Sequence, residues 1–127
     1  MRGVDQVKGS VKKKILVIDD DESIGGALDE FFDFKGLESR VVDSVESGLS
    51  VLHSRWPDLA LLDFRMAQGG GLRVLEEMEK TGLRIPVIMI SASREIMTRS
   101  FPTQVVDRLI KPFSFDDLWK SVNKALL

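Results

Sequence analysis

The chain has 127 residues, of which 43% are hydrophobic and 30% are charged, so we expect a single globular domain and not a disordered segment. Its formal net charge of -2 argues against a general nucleic-acid binder, which needs a clustered excess of Lys and Arg. The sequence contains no cysteine, which excludes disulfides, thiolate metal sites and a cysteine nucleophile.

The N-terminal region lacks any regular pattern of apolar residues. We expect residues 1–12 to be a flexible leader, with the short basic run at residues 12–14 solvating the entry to the first strand. No apolar stretch approaches the roughly 20 residues that cross a bilayer, and the first residues lack the apolar segment of a secretion signal. The expected location is therefore the cytoplasm.

Five short segments are predicted to be strands, four of them continuously apolar and one amphipathic. Continuous apolar runs are typical of parallel strands that are buried on both faces. The predicted strands are residues 15–18, 40–42, 59–62, 87–90 and 105–110.

Between the strands, apolar residues recur with a period of about 3.6, which predicts amphipathic helices. Gly36 is expected to end the first helix, Asp43 and Glu46 to form a capping box for the second, and Ser114 to cap the last. The segment before the last strand contains Pro102, so we expect a short or distorted fourth helix. Alternating strands and helices predict an open, doubly wound α/β sheet.

Reactive side chains follow nearly every buried strand. Asp19 and Asp20 follow the first, and the later strands end in Asp63, Ser91 and Lys111. Ligands of open α/β sheets bind beyond the carboxyl ends of the strands. We therefore predict one site where these residues meet.

The charges in this predicted site require a cation. Three close carboxylates repel one another, and one of them would take up a proton unless positive charge offset the repulsion. A set of oxygen ligands favours a hard ion such as Mg²⁺, and the lone His53 is expected to be a surface residue. An Asp nucleophile, a metal, an ammonium and a hydroxyl together indicate an aspartyl-phosphate site.

The segments ILVIDDDESI, PDLALLDFRM, PVIMISAS and LIKPF, in this order, resemble the receiver domain of two-component response regulators. The resemblance covers residues 13–127. It implies a flavodoxin-like, five-stranded parallel sheet with strand order 2-1-3-4-5. It also implies a signalling phosphoacceptor with self-catalysed phosphotransfer and slow autodephosphorylation, which receives its phosphoryl group from a sensor histidine kinase or phosphotransfer protein and switches the binding of partners.

By resemblance, four residues bind Mg²⁺ or accept the phosphoryl group. Asp63 corresponds to the phosphoacceptor and also to a metal ligand. Asp20 corresponds to a direct ligand, Asp19 to a ligand that acts mainly through water, and Arg65 to a ligand through its backbone carbonyl.

Two further residues complete the site by resemblance. Ser91 corresponds to the hydroxyl that follows the phosphoryl group on switching, and Lys111 to the ammonium that pairs with it, with a cis peptide between Lys111 and Pro112. Asp21 is left out of the site. Arg65 and Ser93 occupy positions that tune the phosphoryl lifetime in this family.

Some positions depart from the family pattern. The loop at residues 66–71 has three consecutive glycines and no proline, and we expect it to be looser than usual. Arg108 stands where the family usually has an aromatic residue or His, and we expect its guanidinium to stay in solvent. The stretch 93–107 is shorter than usual, which predicts a partner surface of unusual shape and leaves the oligomeric state open.

Two other functions fit parts of the sequence. A Mg²⁺-dependent phosphatase of the haloacid dehalogenase type would use the D-x-D spacing of Asp19 and Asp21, but it leaves Asp63 without a role. A receiver-fold module that is never phosphorylated would explain Arg108 but not the complete set of acids, hydroxyl and lysine. The sequence identifies neither the cognate kinase nor the output.

Overall fold

The computed structural model describes residues 12–127, which form an α/β fold around one parallel sheet. The expected leader falls, except for Lys12, outside these residues. The strands are β1 (Lys14–Ile18), β2 (Glu38–Val42), β3 (Leu59–Asp63), β4 (Val87–Ser91) and β5 (Val105–Ile110). The helices are α1 (Glu22–Phe34), α2 (Val45–His53), α3 (Gly70–Thr81), α4 (Glu95–Thr98) and α5 (Phe115–Leu126), with a 3-10 turn (Ala67–Gly69) before α3.

The sheet has the order β2-β1-β3-β4-β5, and all neighbouring strands are parallel. The predicted fold class and strand order are therefore confirmed. Ile18 of β1 lies opposite Leu62 of β3, so the residues that come next, Asp19 and Asp63, are brought side by side. The strand order reverses at this pair, which is where ligands of such sheets bind.

Helices cover both faces of the sheet and form two separate cores. Because side chains alternate along a strand, Leu16 and Ile18 of β1 face α2, α3 and α4, whereas Ile15 and Val17 face α1 and α5. All four side chains are fully buried. Burial on both faces explains the apolar runs of the three central strands, β1, β3 and β4, whereas the edge strands β2 and β5 are only partly buried and carry polar residues.

The helix ends agree with the sequence prediction in two of three cases. Ser114 caps α5 by accepting a hydrogen bond from the Asp117 amide at 3.0 Å, and Gly36 follows the C-cap of α1 with a φ of +81°. The capping box expected at Asp43 and Glu46 is wrong. Ser44 is the N-cap of α2, because its backbone is extended and its hydroxyl accepts from the Ser47 amide at 3.0 Å.

The fourth helix, α4, is a single turn, which confirms the prediction of a short fourth helix. It ends at Thr98 because the next residue, Arg99, has extended backbone angles. Its one buried apolar side chain is Ile96, which packs into the core on the α2 and α3 side of the sheet.

The position of Arg108 differs from the expectation. Its side chain is half-buried, and one guanidinium nitrogen donates hydrogen bonds to the carbonyls of Ile96 at 2.8 Å and Arg99 at 2.6 Å. Strand alternation explains this, because position 108 lies on the same face of β5 as Ile110, toward α4. The guanidinium also lies 4.8 Å from the centroid of the Phe101 ring, so carbonyls and an aromatic face replace part of its hydration.

The glycine-rich segment at residues 66–71, which leads into the first turn of α3, is closely packed. The expectation that it is looser than usual is therefore wrong. Gly70 has a φ of +54°, and an added Cβ would lie 2.4 Å from the carbonyl oxygen of Phe64. Gly71 is buried and donates a hydrogen bond to that same oxygen at 3.1 Å. These glycines allow close approach to the backbone that follows Asp63.

Across residues 12–127, none of the helices combines the length and the apolar character that crossing a membrane requires.

Candidate functional site

The carboxyl ends of four strands bring the predicted site residues together. Asp63 and Ser91 are the last residues of β3 and β4, whereas Asp19 and Lys111 directly follow β1 and β5. Backbone hydrogen bonds continue the ladder past these ends, from the Lys111 amide to the Ser91 carbonyl at 2.8 Å and from the Phe64 amide to the Ile90 carbonyl at 2.9 Å. The rigid sheet therefore fixes the side chains of the site.

Three carboxylates form a cluster at this edge. Asp19, Asp20 and Asp63 each place an oxygen within 4.8 Å of the others. Asp19 and Asp63 are buried, with exposed fractions of 2% and 5%, whereas Asp20 is exposed. The cluster therefore has a rigid base and one acid that faces solvent.

Asp21 does not belong to the cluster, as predicted. Its carboxylate caps α1 by accepting hydrogen bonds from the amide and hydroxyl of Ser23, at 3.0 and 2.7 Å. These hydrogen bonds lower the pKa of Asp21. Its own amide donates to Asp19 Oδ1 at 2.9 Å, which orients the Asp19 carboxylate.

Lys111 lies between the two buried acids. Its Nζ is 2.7 Å from Asp19 Oδ2 and 3.5 Å from Asp63 Oδ2. Burial lowers the pKa of Lys111, but the contact with Asp19 and the charges of the neighbouring acids outweigh this and leave its pKa above the ordinary value. The side chain is therefore a stable cation at neutral pH.

Asp63 titrates at an unusual pH because of its surroundings. Burial and the negative charge of Asp19 raise its pKa to about 6. The Arg65 amide, which donates to Asp63 Oδ1 at 3.2 Å, and the charge of Lys111 act in the opposite direction. At neutral pH the carboxylate is mostly ionised, as a nucleophile must be.

The donor set fits a hard divalent cation. Asp19 Oδ2 is buried, and among residues 12–127 its polar contact is the Lys111 ammonium at 2.7 Å. A buried oxygen of this kind, next to two other carboxylates and without soft ligands, is suited to Mg²⁺. A bound cation would also offset the repulsion that raises the pKa of Asp63.

Most of the chain matches a known protein family. Residues 15–123 match the family model described as the response regulator receiver domain. The chain belongs to the response regulator receiver domain family.

Curated relatives of this receiver domain are regulatory proteins. The chain is 31% identical over 115 residues to the regulatory protein AtoC of Escherichia coli, covering 89% of this chain and 25% of the relative. It is 30% identical over 115 residues to the probable C4-dicarboxylate response regulator DctR of Bacillus subtilis, covering 87% and 51%. The chain thus spans about a quarter to a half of the length of these relatives.

Solved receiver domains share its fold over nearly their whole length. A CheY-like receiver domain protein of Methanospirillum hungatei has a TM-score of 0.81 at 26% identity, covering 91% of this chain and 94% of that one. The response regulator TrrA of Thermotoga maritima, in complex with Mg²⁺-BeF, has a TM-score of 0.80 at 30% identity, covering 90% and 99%.

Ser91 and Asp63 line one crevice of the receiver domain. It has a volume of about 470 Å³ and is also lined by Arg65 and Lys111. Ser91 is buried, and its hydroxyl oxygen accepts a hydrogen bond from the Ser93 amide at 3.0 Å. Ser91 therefore lines the same crevice as the Asp63 carboxylate.

One group of charges beside this crevice is not predicted by any sequence pattern. Glu95 of α4 pairs with Arg65 and, at 3.0 Å, with Arg99. The spacing of Glu95 and Arg99, four residues apart, indicates a helical ion pair. No local pattern connects Glu95 with Arg65, because these two residues lie 30 positions apart in the sequence.

Proposed function

We propose that this receiver domain, at residues 13–127, accepts a phosphoryl group on Asp63 with the help of Mg²⁺. One observation carries the proposal. The carboxylates of Asp19, Asp20 and Asp63 converge within 4.8 Å, and Lys111 lies 3.5 Å from the acceptor oxygen of Asp63. This is the charge arrangement that phosphoryl transfer to a carboxylate requires.

Each residue has a distinct role in this proposal. Mg²⁺ would be held directly by Asp20, the exposed acid, and by Asp63. Asp19 would bind it mainly through water, and the Arg65 carbonyl would complete the protein ligands. Bound Mg²⁺ would supply positive charge to the phosphoryl oxygens. Lys111 pairs with the transferred group, and the buried Ser91 hydroxyl donates a hydrogen bond to it. The complex of TrrA with Mg²⁺-BeF supports the choice of metal.

The partners follow from the membership in the receiver family. We propose that a sensor histidine kinase or a phosphotransfer protein supplies the phosphoryl group, in the cytoplasm, where such kinases use ATP. Phosphorylation then changes the binding of an output partner. The curated relatives are longer than this chain, and their outputs lie outside the matched part.

Mass spectrometry of the protein after incubation with acetyl phosphate and Mg²⁺ tests the proposal. We expect a labile adduct of about 80 Da, one phosphoryl group, on Asp63. Asp63→Asn should remove the adduct, and omitting Mg²⁺ should reduce it strongly. An adduct that survives in Asp63→Asn, or none in the wild-type protein, would contradict the assignment.

A further inference from the structure

The short helix α4 carries an acid that the proposed phosphoryl chemistry does not use. Glu95 is the first residue of α4, and its carboxylate pairs with Arg65 and Arg99. Arg65 belongs to the loop after β3, two residues beyond Asp63. The ion pair between Glu95 and Arg65 therefore joins the loop after β3, the strand that ends in Asp63, to the start of α4.

Glu95 is the fixed partner in this pair. Its amide donates to the Ser93 hydroxyl oxygen at 3.2 Å, and its carboxylate is 3.0 Å from the guanidinium of Arg99. Arg99 lies in turn 5.4 Å from the ring centroid of Phe64. The side chain of Arg65 is 64% exposed, compared with 35% for Glu95. Arg65 also lies 5.7 Å from the centroid of the Phe64 ring, but its greater exposure makes it the side chain that loss of the pair would release into solvent.

Arg65 lies where two crevices meet. It lines the crevice that holds Asp63, Ser91 and Lys111, and also a neighbouring crevice of about 560 Å³ that is lined by Asp20, Glu95 and Arg99. A small phosphodonor is an anion and approaches an edge that carries three carboxylates. Lys111 already pairs with two of them, and Glu95 neutralises Arg65. Glu95 also pairs with Arg99, but of these two arginines only Arg65 lines the crevice that holds Asp63. The pairing state of Arg65 therefore affects how strongly this edge attracts an anion.

We propose that Glu95 limits the access of anionic phosphodonors to Asp63 by holding the Arg65 guanidinium in an ion pair at the mouth of the acceptor crevice. The inference rests on the proposed function, because it takes Asp63 as the acceptor. During transfer from acetyl phosphate, an Asp63 carboxylate oxygen bonds to phosphorus, the bond from phosphorus to the acetate oxygen breaks, and acetate leaves with the electron pair. Glu95 is a positioning residue that acts through Arg65 on donor binding and not on this bond exchange.

The test measures the initial rate of Asp63 phosphorylation in the full chain, with Mg²⁺ and increasing acetyl phosphate, by intact mass spectrometry. Glu95→Gln should lower the donor concentration at half-maximal rate about three- to five-fold, the range that an exposed ion pair can supply, and should leave the maximal rate nearly unchanged. This gain should disappear at about 1 M salt, where exposed charges are screened. In an Arg65→Gln background, Glu95→Gln should give no gain.

Two further variants separate the ion pair from other effects. Glu95→Asp keeps the charge and should stay close to wild type. Glu22→Gln removes another exposed acid from the same sheet edge, beside Asp20, and should give a smaller change than Glu95→Gln. The inference is overturned if Glu95→Gln leaves the donor concentration at half-maximal rate unchanged. It is also overturned if Glu95→Gln still lowers this concentration in the Arg65→Gln background, or if Glu22→Gln lowers it equally. A wild-type chain that takes no phosphoryl group on Asp63 would overturn the proposed function instead.

Discussion

Asp63 must remain ionised in surroundings that disfavour its charge. Burial and the nearby carboxylate of Asp19 raise its pKa to about 6, and the Arg65 amide and Lys111 limit the rise. A carboxyl group with this pKa is a nucleophile at pH 7 and a neutral acid at pH 5. Without a bound cation, the folded protein therefore holds an unfavourable charge at neutral pH.

We predict that Asp63→Asn stabilises the cation-free protein at pH 7 by about 1 to 3 kcal/mol. Between the ordinary pKa of 3.8 and the folded value of about 6, the unfolded chain has lost the proton that the folded chain keeps. The contribution of Asp63 to the free energy of unfolding of the wild-type protein therefore falls as pH rises through this window and is constant above it. Urea unfolding in EDTA at several pH values measures the difference between the two proteins.

The stability gain of Asp63→Asn should accordingly grow from pH ~4 to pH ~6 and then level off. Asp33→Asn, an exposed position on α1, is the matched control for the loss of one carboxylate. A gain that does not depend on pH, or one that Asp33→Asn reproduces, would be inconsistent with a raised pKa at Asp63.

At the level of elements, the sequence predicted regular structure better than irregular segments. The strands and the ends of α1 and α5 follow from apolar periodicity, Gly36 and Ser114, which act locally. The cap of α2 was misplaced by one residue, because Asp43 and Ser44 are both good capping residues and only the backbone angles distinguish them.

Arg108 was misjudged for a different reason. The cost of removing a guanidinium from water predicted a solvent-exposed side chain. Hydrogen bonds to the carbonyls of Ile96 and Arg99 offset this desolvation cost. These carbonyls point toward β5 only because α4 ends after one turn. Such acceptors belong to the tertiary structure and leave no mark in the sequence near position 108.

We predict that Arg108→Ala destabilises the protein by about 1 to 2 kcal/mol, since two carbonyls lose their donor. The effect should concentrate in α4, where the amides of Met97 and Arg99 hydrogen-bond to Arg94 and Glu95. Hydrogen exchange of these two amides should be faster in the variant than in the wild-type protein.

Arg94→Ala is the control for Arg108→Ala, because Arg94 is an exposed arginine at the N-cap of α4 and its side chain makes no cap hydrogen bond. It should leave exchange in α4 nearly unchanged. Equal exchange in wild type and Arg108→Ala would show that these hydrogen bonds do not hold the helix.

For the whole molecule, topology explains why the site was easier to predict than its surroundings. Four site residues stand at or directly after the end of a strand: Asp19, Asp63, Ser91 and Lys111. The parallel sheet therefore brings them together independently of the loop conformations. The ion pair of Glu95 with Arg65 depends on how the loop after β3 and the short helix α4 are placed, and it could not be predicted from the sequence. The site exists only when the sheet has formed, so a ligand that binds there stabilises the folded state of the whole domain.

We predict from this linkage that Mg²⁺ raises the unfolding temperature of the whole chain. At a free concentration of about 100 times its Kd, it should stabilise the fold by about 2.7 kcal/mol, or roughly 8 to 12 °C. Calorimetry with MgCl₂, against KCl at equal ionic strength, measures the shift. Asp20→Asn should lose most of it, whereas Asp43→Asn, an exposed acid beside the cluster, should keep it. A full shift in Asp20→Asn, or an equal loss in Asp43→Asn, would place the cation elsewhere.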